Sequence, residues 1–511
     1  MENEIATLAF KQSDTRMTTL YKPAQNWFVG DVDLNFDADR MLFSSIGTQN
    51  RWQVFEIKAD GTGLRQVSKG AAPDVDNYDP MYLPDGRIIF DSSATFQGVP
   101  CVGGKDYVAN LHIMNADGTG VRRLCFDQDN DWCPVMLPNG RVMYLRWEYT
   151  DSAHYFSRVL MSMNPDGTGQ TEFYGSDSYW PNSLFYARPL PGSDTKFVGI
   201  ISGHHGVRRM GEMVLFDAAK GRQEDSGAIQ RIPGYGKPVK GIIKDRLVDD
   251  SWPKFLHPYP ITDKLFLVAA QLSAKSTWGI YLADIYDNLV LLKQEPGYAL
   301  FEPLPLRKTT RPPAIVDKVN LSDPNASVYI HNVYSGDGLK GVPRGTVKSL
   351  RVFQYEYAYR NMGGHYYVGM EGPWDVRRII GTVPVCEDGS AMFKIPANRP
   401  VAVQPLDAHG QALQQMRSWF VGMPGENVSC VGCHEKQNQS TALTVASAAR
   451  MEPVLPTPWH GPKRGFSFLR EVQPVLDQYC VGCHDGQGQA AGRPNFAITN
   501  VITTSPSLRV I

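Results

Sequence analysis

The sequence predicts a mainly β protein: a six-bladed β-propeller, seven blades being the alternative, then a β-sandwich-like domain and a short helical c-type haem region. Three observations carry this reading. A strand-and-turn unit recurs at intervals of about 50 residues, the signature of stacked or radial repeats. A stretch of β-branched and aromatic runs follows without that period. The pentapeptide CVGCH then occurs twice near the end.

The repeat is built from two signatures. ADGTG at Ala59–Gly63 and Ala116–Gly120 and PDGTG at Pro165–Gly169 each follow a short apolar run, and Asp-Gly supplies the positive φ that a tight hairpin needs. Between them, DPMYLPDGRIIF (Asp79–Phe90) and CPVMLPNGRVMY (Cys133–Tyr144) keep Pro, Pro, Gly and Arg at identical offsets, with weaker copies at Phe36–Phe43, Asp194–Ile200 and Thr262–Val268. Such strand pairs bury their faces only against neighbouring blades. Residues 20–310 are therefore expected to form a propeller with TolB/WD40-like repeats. Residues 1–19, with a strand at Ile5–Phe10, help to close it, and an insertion spans about Lys220–Asp250.

Pro312-Pro313 marks the next boundary, and residues 311–425 read as the sandwich-like domain, in runs such as SVYIHNVY and TVKSLRVFQYEYAY. The G-x-G-x-x-G match at Gly336–Gly341 is not a dinucleotide site, because a strand follows it where a helix N-terminus would have to meet the pyrophosphate. Residues 426–511 form the haem-binding region, where FSFLREV has helical spacing after Ser467 and Pro474 can open a turn of helix.

Composition excludes several partners. With 51 Lys+Arg against 52 Asp+Glu, net −1, the surface has no field to hold a nucleic-acid backbone. No apolar run reaches the roughly 18 residues of a membrane helix, and the first residues do not read as a secretory signal.

The chemistry lies in Cys430, Cys433, His434 and in Cys480, Cys483, His484. Two thiols three apart reach the two vinyl groups of one haem, and the histidine after the second thiol becomes an axial iron ligand. Two covalent haems are expected. A four-cysteine zinc site is the alternative, but zinc does not require the histidines, and 46 residues between Cys433 and Cys480 exceed the usual zinc-ribbon gap of about 15–20. Covalent haem implies export, so a periplasmic location is expected, and with it a sequence incomplete at its start and, after SPSLRVI, at its finish. Met416, Met423, Met451, His409 and His460 are candidates for the sixth iron positions.

On the propeller, RWEYTDSAH and SGHHG concentrate ionisable groups, and Glu148, His154, His204 and His205 are catalytic candidates if the channel gathers them. The plainer reading makes them surface residues. Among Cys101, Cys125 and Cys133 two could pair as a disulfide; Cys386 stands apart.

NADGTG, LPNGRVMYLRWEY, SGHHG, GTVPVCEDGSAMFKIPA, LDAHGQALQQMRSW, PGENVSCVGCHE and PVLDQYCVGCHDG together resemble proteins related to the hydrazine synthase alpha subunit, multihaem proteins of planctomycete-type bacteria. The resemblance implies a propeller, c-type haems and a periplasmic-type protein. It also implies, for the first haem of the family, a tyrosine ligand four residues beyond the motif histidine, with that histidine turned toward a zinc. The matching position here is Asn438, an amide unsuited to replace a phenolate on ferric iron. The expected function is a dihaem redox protein that transfers electrons to a redox partner or other subunits, or acts on a small nitrogen compound. The alternatives are a partner- or glycan-binding propeller with electron-transfer haems, and a zinc-stabilised structural protein.

Overall fold

The computed structural model describes residues 3–9, 16–70, 72–99, 102–147, 158–176, 178–361, 375–434, 444–458, 468–487 and 495–497. A two-stranded sheet, β1 (Ile5–Leu8) with β2 (Met17–Tyr21), precedes two four-stranded antiparallel sheets. The first of these runs β3 (Val29–Leu34), β4 (Arg40–Ile46), β5 (Trp52–Lys58), β6 (Arg65–Gln66). The second runs β7 (Asn77–Tyr82), β8 (Ile88–Ser92), β9 (Asn110–Met114), β10 (Arg122–Arg123). Next come β11 (Asp131–Met136), β12 (Val142–Trp147), β13 (Arg158–Met163), β14 (Thr171–Tyr174) and then β15 (Ser183–Pro189), β16 (Lys196–Ser202), β17 (Glu212–Asp217), β18 (Ala228–Ile232). These two groups of four are continuous only through one parallel pair, Arg158 with Ser183. A further four-stranded sheet holds β19 (Lys254–Pro260), β20 (Leu265–Gln271), β21 (Gly279–Asp284) and β22 (Leu289–Lys293).

The expected copies coincide with β4, β8, β12, β16 and β20, the second strand of each group. The three DGTG turns join third to fourth strands. Side-chain alternation explains why the groups stack: Leu42 and Val54 face Ile88 and Phe90 of the next group, whereas Met41, Phe43 and Ile57 face the other way, onto Ile5, Leu20 and Tyr21. The N-terminal hairpin thus covers the face of the first sheet turned away from the second. Further along, Val198, Ile200 and Met213 pack on Phe255, Phe266 and Val268.

Beyond a linker held by Arg87 to Asp317, 2.8 Å, and by Arg311 to Asp37, 2.8 Å, two sheets face each other. One contains β23 (Asn325–Ile330) between β26 (Ala391–Pro396) and β29 (Asn427–Cys430). The other contains β24 (Ser349–Tyr357) and β25 (Asp375–Pro384) with β27 (Pro400–Leu406) and β28 (Phe420–Val421). Val328, Phe393 and Ile395 of one sheet and Leu350, Val352 and Val401 of the other share a core. A single α-helix among the described residues, α1 (Gln473–Tyr479), has Pro474 in its first turn, where the missing N–H costs nothing. No helix among the described residues is long and apolar enough to cross a membrane.

Candidate functional site

The two CVGCH segments occupy different settings. The first leaves β29, which pairs in parallel with β23 so that Cys430 lies opposite Ile330. Both Cys430 and Cys433 pack against the sandwich core. The loop after β23 then wraps the segment: the N–H groups of His331, Asn332 and Gly338 donate to the carbonyls of Cys430, Val431 and Cys433 at 2.9, 2.9 and 3.1 Å. This approach explains the glycines of the rejected dinucleotide motif. A Cβ on Gly336, at φ +89°, would sit 2.4 Å from the Cys433 carbonyl oxygen. His434 itself adopts φ +59°. Beside the segment, the Tyr329 hydroxyl meets His331 Nδ1 at 3.0 Å.

The second segment caps α1. Cys480 N–H donates to the Leu476 carbonyl, Cys483 N–H to that of Cys480 at 3.1 Å and His484 N–H to that of Val481 at 3.0 Å, so one helical turn brings the two thiols to the same side. The His484 ring lies 5.0 Å from that of Phe496. Leu469, Val475 and Tyr479 stand exposed around it. The two segments differ in how they fit covalent haem: the first holds Cys430 at the end of β29 with both cysteines against the sandwich core, whereas the second places its cysteines on a turn after α1, whose Val475 and Tyr479 are exposed apolar surface that a porphyrin could cover. The four cysteines do not converge on one point, since the only metal-holding group among the described residues lies elsewhere.

Of the propeller-side candidates, two are described. Glu148 and His154 lie outside the described residues, as do Asn438, His460 and Cys101. His205 is exposed and its Nδ1 meets Asp245 at 2.9 Å, while the His204 ring stands 4.5 Å from that of His205 and 5.6 Å from Trp147. Neither histidine lines the axial cavity, because both sit in the outer loop between β16 and β17. Cys125 and Cys133 are thiols, not a disulfide. Met423 is fully buried between sandwich and propeller, against Gly167, and is a packing residue instead of an iron-ligand candidate. The Met451 sulfur lies 3.6 Å from that of Cys386, and His409 sits in an exposed turn.

The axial cavity, about 70 Å³, is lined by residues the sequence reading passed over: Asp31, Asp79, Cys133, Tyr186, His257 and Glu302. All six have φ between +50° and +55° or so, at 54, 51, 55, 50, 50 and 52°. In the first five, the innermost strand is bulged at that residue. Each reaches its successor. Glu302 accepts from Val32 N–H at 2.9 Å, Asp79 from Cys133 N–H at 2.7 Å, and the Tyr186 and His257 rings stand 4.1 Å apart. His257 in turn approaches Phe301 at 6.2 Å, which returns the circuit to Glu302. The signal was present in the sequence: YDP, WCP, FYA, LHP and FEP recur with an aromatic or Leu before the bulge and Pro or Ala after it. Burial pushes Asp79 up to about 8, helped by Asp31 beside it, and Glu302 up to about 7 for the same two reasons. Burial, then Arg188, lowers His257 to about 3.

A propeller-type domain continued by a β-sandwich that carries a CxxCH turn is the class of protein this fold and site define. Residues 345–435 match the hydrazine synthase alpha subunit middle domain family, and the fold is similar to that of Kuenenia stuttgartiensis hydrazine synthase, with a TM-score of 0.73 at 16% identity over 94% of this chain and 77% of that one. The matched segment relates residues 345–435 to hydrazine synthase alpha subunits, and the structural likeness extends the shared fold over most of the chain. Likeness to TolB-type structures is slight: 0.37 at 13% identity for a protein of Agrobacterium tumefaciens, over 54% of this chain and 84% of that one. For TolB of Acinetobacter baumannii it is 0.28 at 12% identity, over 42% and 51%. No curated protein sequence matches the chain.

Proposed function

We propose that this chain is a dihaem c-type redox protein whose two haems are held by Cys430, Cys433, His434 and by Cys480, Cys483, His484. The observation that supports the reading is that the second pentapeptide forms a turn at the end of α1, with Cys483 exposed and the exposed apolar residues Val475 and Tyr479 on the same helix. Bound haem would supply one-electron chemistry at iron. The chain's own residues do the rest: the turns fix the thiols, His434 and His484 offer imidazole nitrogens, and the 331–338 loop holds the first turn rigid. The chain divides, in this reading, into a hairpin over 1–19, a propeller over 20–310, a sandwich over 311–425 and a haem region over 426–511. The six inner positions around the axial cavity support a count of six blades, the sixth made of the β1–β2 hairpin and the segment around Phe301–Leu304.

The relative's name, with its alpha subunit, supports other subunits as partners and a small nitrogen compound as the reactant. Covalent haem supports a periplasmic location. Because Asn438 stands where the family has its tyrosine, His434 serves the first iron as an ordinary axial ligand, and hydrazine synthesis itself is not the proposed reaction. The test is electron paramagnetic resonance on a Cys480→Ala/Cys483→Ala variant retaining the first haem. A histidine-ligated signal that His434→Ala abolishes is expected; a high-spin phenolate signature unchanged by His434→Ala would overturn the ligand assignment.

A further inference from the structure

The crossover from β10 to β11 buries a group of side chains that the haem reading leaves unused. Cys125, Asp127 and Asp131 are each 0% exposed, and their sulfur and carboxylate oxygens lie within 4.8 Å of one another. Each carboxylate has one oxygen fixed from outside the group. Asp127 Oδ1 accepts from Trp419 Nε1 at 2.7 Å and meets Arg146 Nε at 3.2 Å, while Asp131 Oδ2 accepts from Asn110 Nδ2 at 2.7 Å. The other oxygen of each, Asp127 Oδ2 and Asp131 Oδ1, has no hydrogen-bond partner.

A second observation comes from the neighbours of these three residues. Tyr144 is also 0% exposed and hydrogen-bonds the Cys125 thiol, which in turn meets the Met163 sulfur at 3.8 Å. Asp91, wholly buried near Asp131, has no partner for either oxygen. Native interiors rarely leave such atoms unmet, because each forfeits its water without compensation.

We propose that Cys125, Asp127 and Asp131 bind one divalent transition-metal ion, zinc in the first place. A thiolate excludes calcium and magnesium, which take oxygen alone, and one sulfur among oxygens suits a borderline cation. Trp419 and Asn110 are the outer partners that orient the ligating carboxylates, as such partners do at known metal sites. When the ion binds, the Cys125 thiol gives its proton to solvent as the sulfur–metal bond forms, and no electron moves. Because Trp419 of the sandwich covers the group, the ion clasps the crossover of two propeller sheets to the next domain. A proton shared between Asp127 and Asp131 is the rival occupant. This inference does not depend on the haems.

The test is metal analysis of the full chain expressed with added zinc, joined to zinc-edge X-ray absorption. About one zinc per chain is expected after gel filtration, in a shell of one sulfur near ~2.3 Å and oxygens near ~2.0 Å. Folded Cys125→Ser and Asp131→Asn proteins should each hold less than about a tenth of that zinc. Less than a tenth of an equivalent in the unaltered chain would overturn the proposal, as would a shell with more than one sulfur, or zinc fully kept in both variants. Should neither variant fold, the shell of the unaltered protein decides alone.

Discussion

The two CVGCH turns share a sequence and differ in what holds them. The first belongs to a domain core: its thiols pack among Val328, Phe393 and their neighbours, and four backbone N–H groups, those of His331, Asn332, Asp337 and Gly338, donate to its carbonyls. The second depends on seven residues of α1, a helix without a side-chain cap at its N-terminus, and on Phe496. The difference teaches that a motif read as one chemical unit can be structural in one place and nearly bare in another. Haem at the first site should tune an existing fold, and haem at the second should help create one.

The largest effect expected from this contrast is on folding without haem. In the apoprotein the sandwich should stay folded while the region around α1 loses its structure, since α1 and the π-helical turn before it, Phe468–Val472, together make only twelve residues, at the lower edge of the roughly 12–15 that stand alone in water. Hydrogen exchange measures it: protected amides on β23, β24 and β29 against rapid exchange from 473 to 484. Equal protection at both sites would erase the distinction.

Next in size is Gly336→Ala. A methyl group there meets the Cys433 and His434 carbonyl oxygens at 2.4 and 2.6 Å and the backbone lies at φ +89°, so a loss of about 1–3 kcal/mol is expected. Chemical denaturation checks the stability, and the spectrum of the first haem should shift while that of the second stays. Gly482→Ala, with open space at its Cβ, should change stability by less than about 0.5 kcal/mol.

How far the sequence disclosed this arrangement depends on what kind of signal each part leaves. The DGTG hairpins and the second strand of each sheet were legible because turn chemistry and alternation are local, and so were the haem motifs. The ring of Asp31, Asp79, Cys133, Tyr186, His257 and Glu302 left a local trace in YDP, WCP, FYA, LHP and FEP, but the residues at its bulges differ in chemistry and Gly30-Asp31-Val32 breaks the pattern, so it was not read. Gly336 and Gly338 were rightly denied a dinucleotide role, but their real task, making room for Cys433, needs the contact between the loop and β29. His204 and His205 stood out in composition, yet His205 pairs with Asp245 of the insertion at an outer loop and the His204 ring stands beside it.

The smallest predicted effect concerns the cavity inside that ring, which Asp33 also lines. Folding raises Asp33 to about 6 and Glu302 to about 7, both chiefly by burial, so these carboxyls are more easily ionised in the unfolded chain. Their contribution is fully present below the unfolded carboxylate range and is lost as pH rises through about 6 to 7. The propeller should therefore melt lower at pH 8 than at pH 5.5 on their account. Glu302→Gln, which keeps an acceptor for Val32 N–H, should narrow that gap by a few degrees. An unchanged gap would mean that the cavity carboxyls do not govern it.

The central claim is that both pentapeptides carry haem, and counting it is the direct measurement. The chain, exported in a host that matures c-type cytochromes, is extracted with acid acetone and assayed as the pyridine haemochrome. The account predicts two haems per chain that resist extraction, and one in the Cys480→Ala/Cys483→Ala variant. A chain that retains no haem, and instead carries zinc bound by the cysteines of the two pentapeptides, would contradict it.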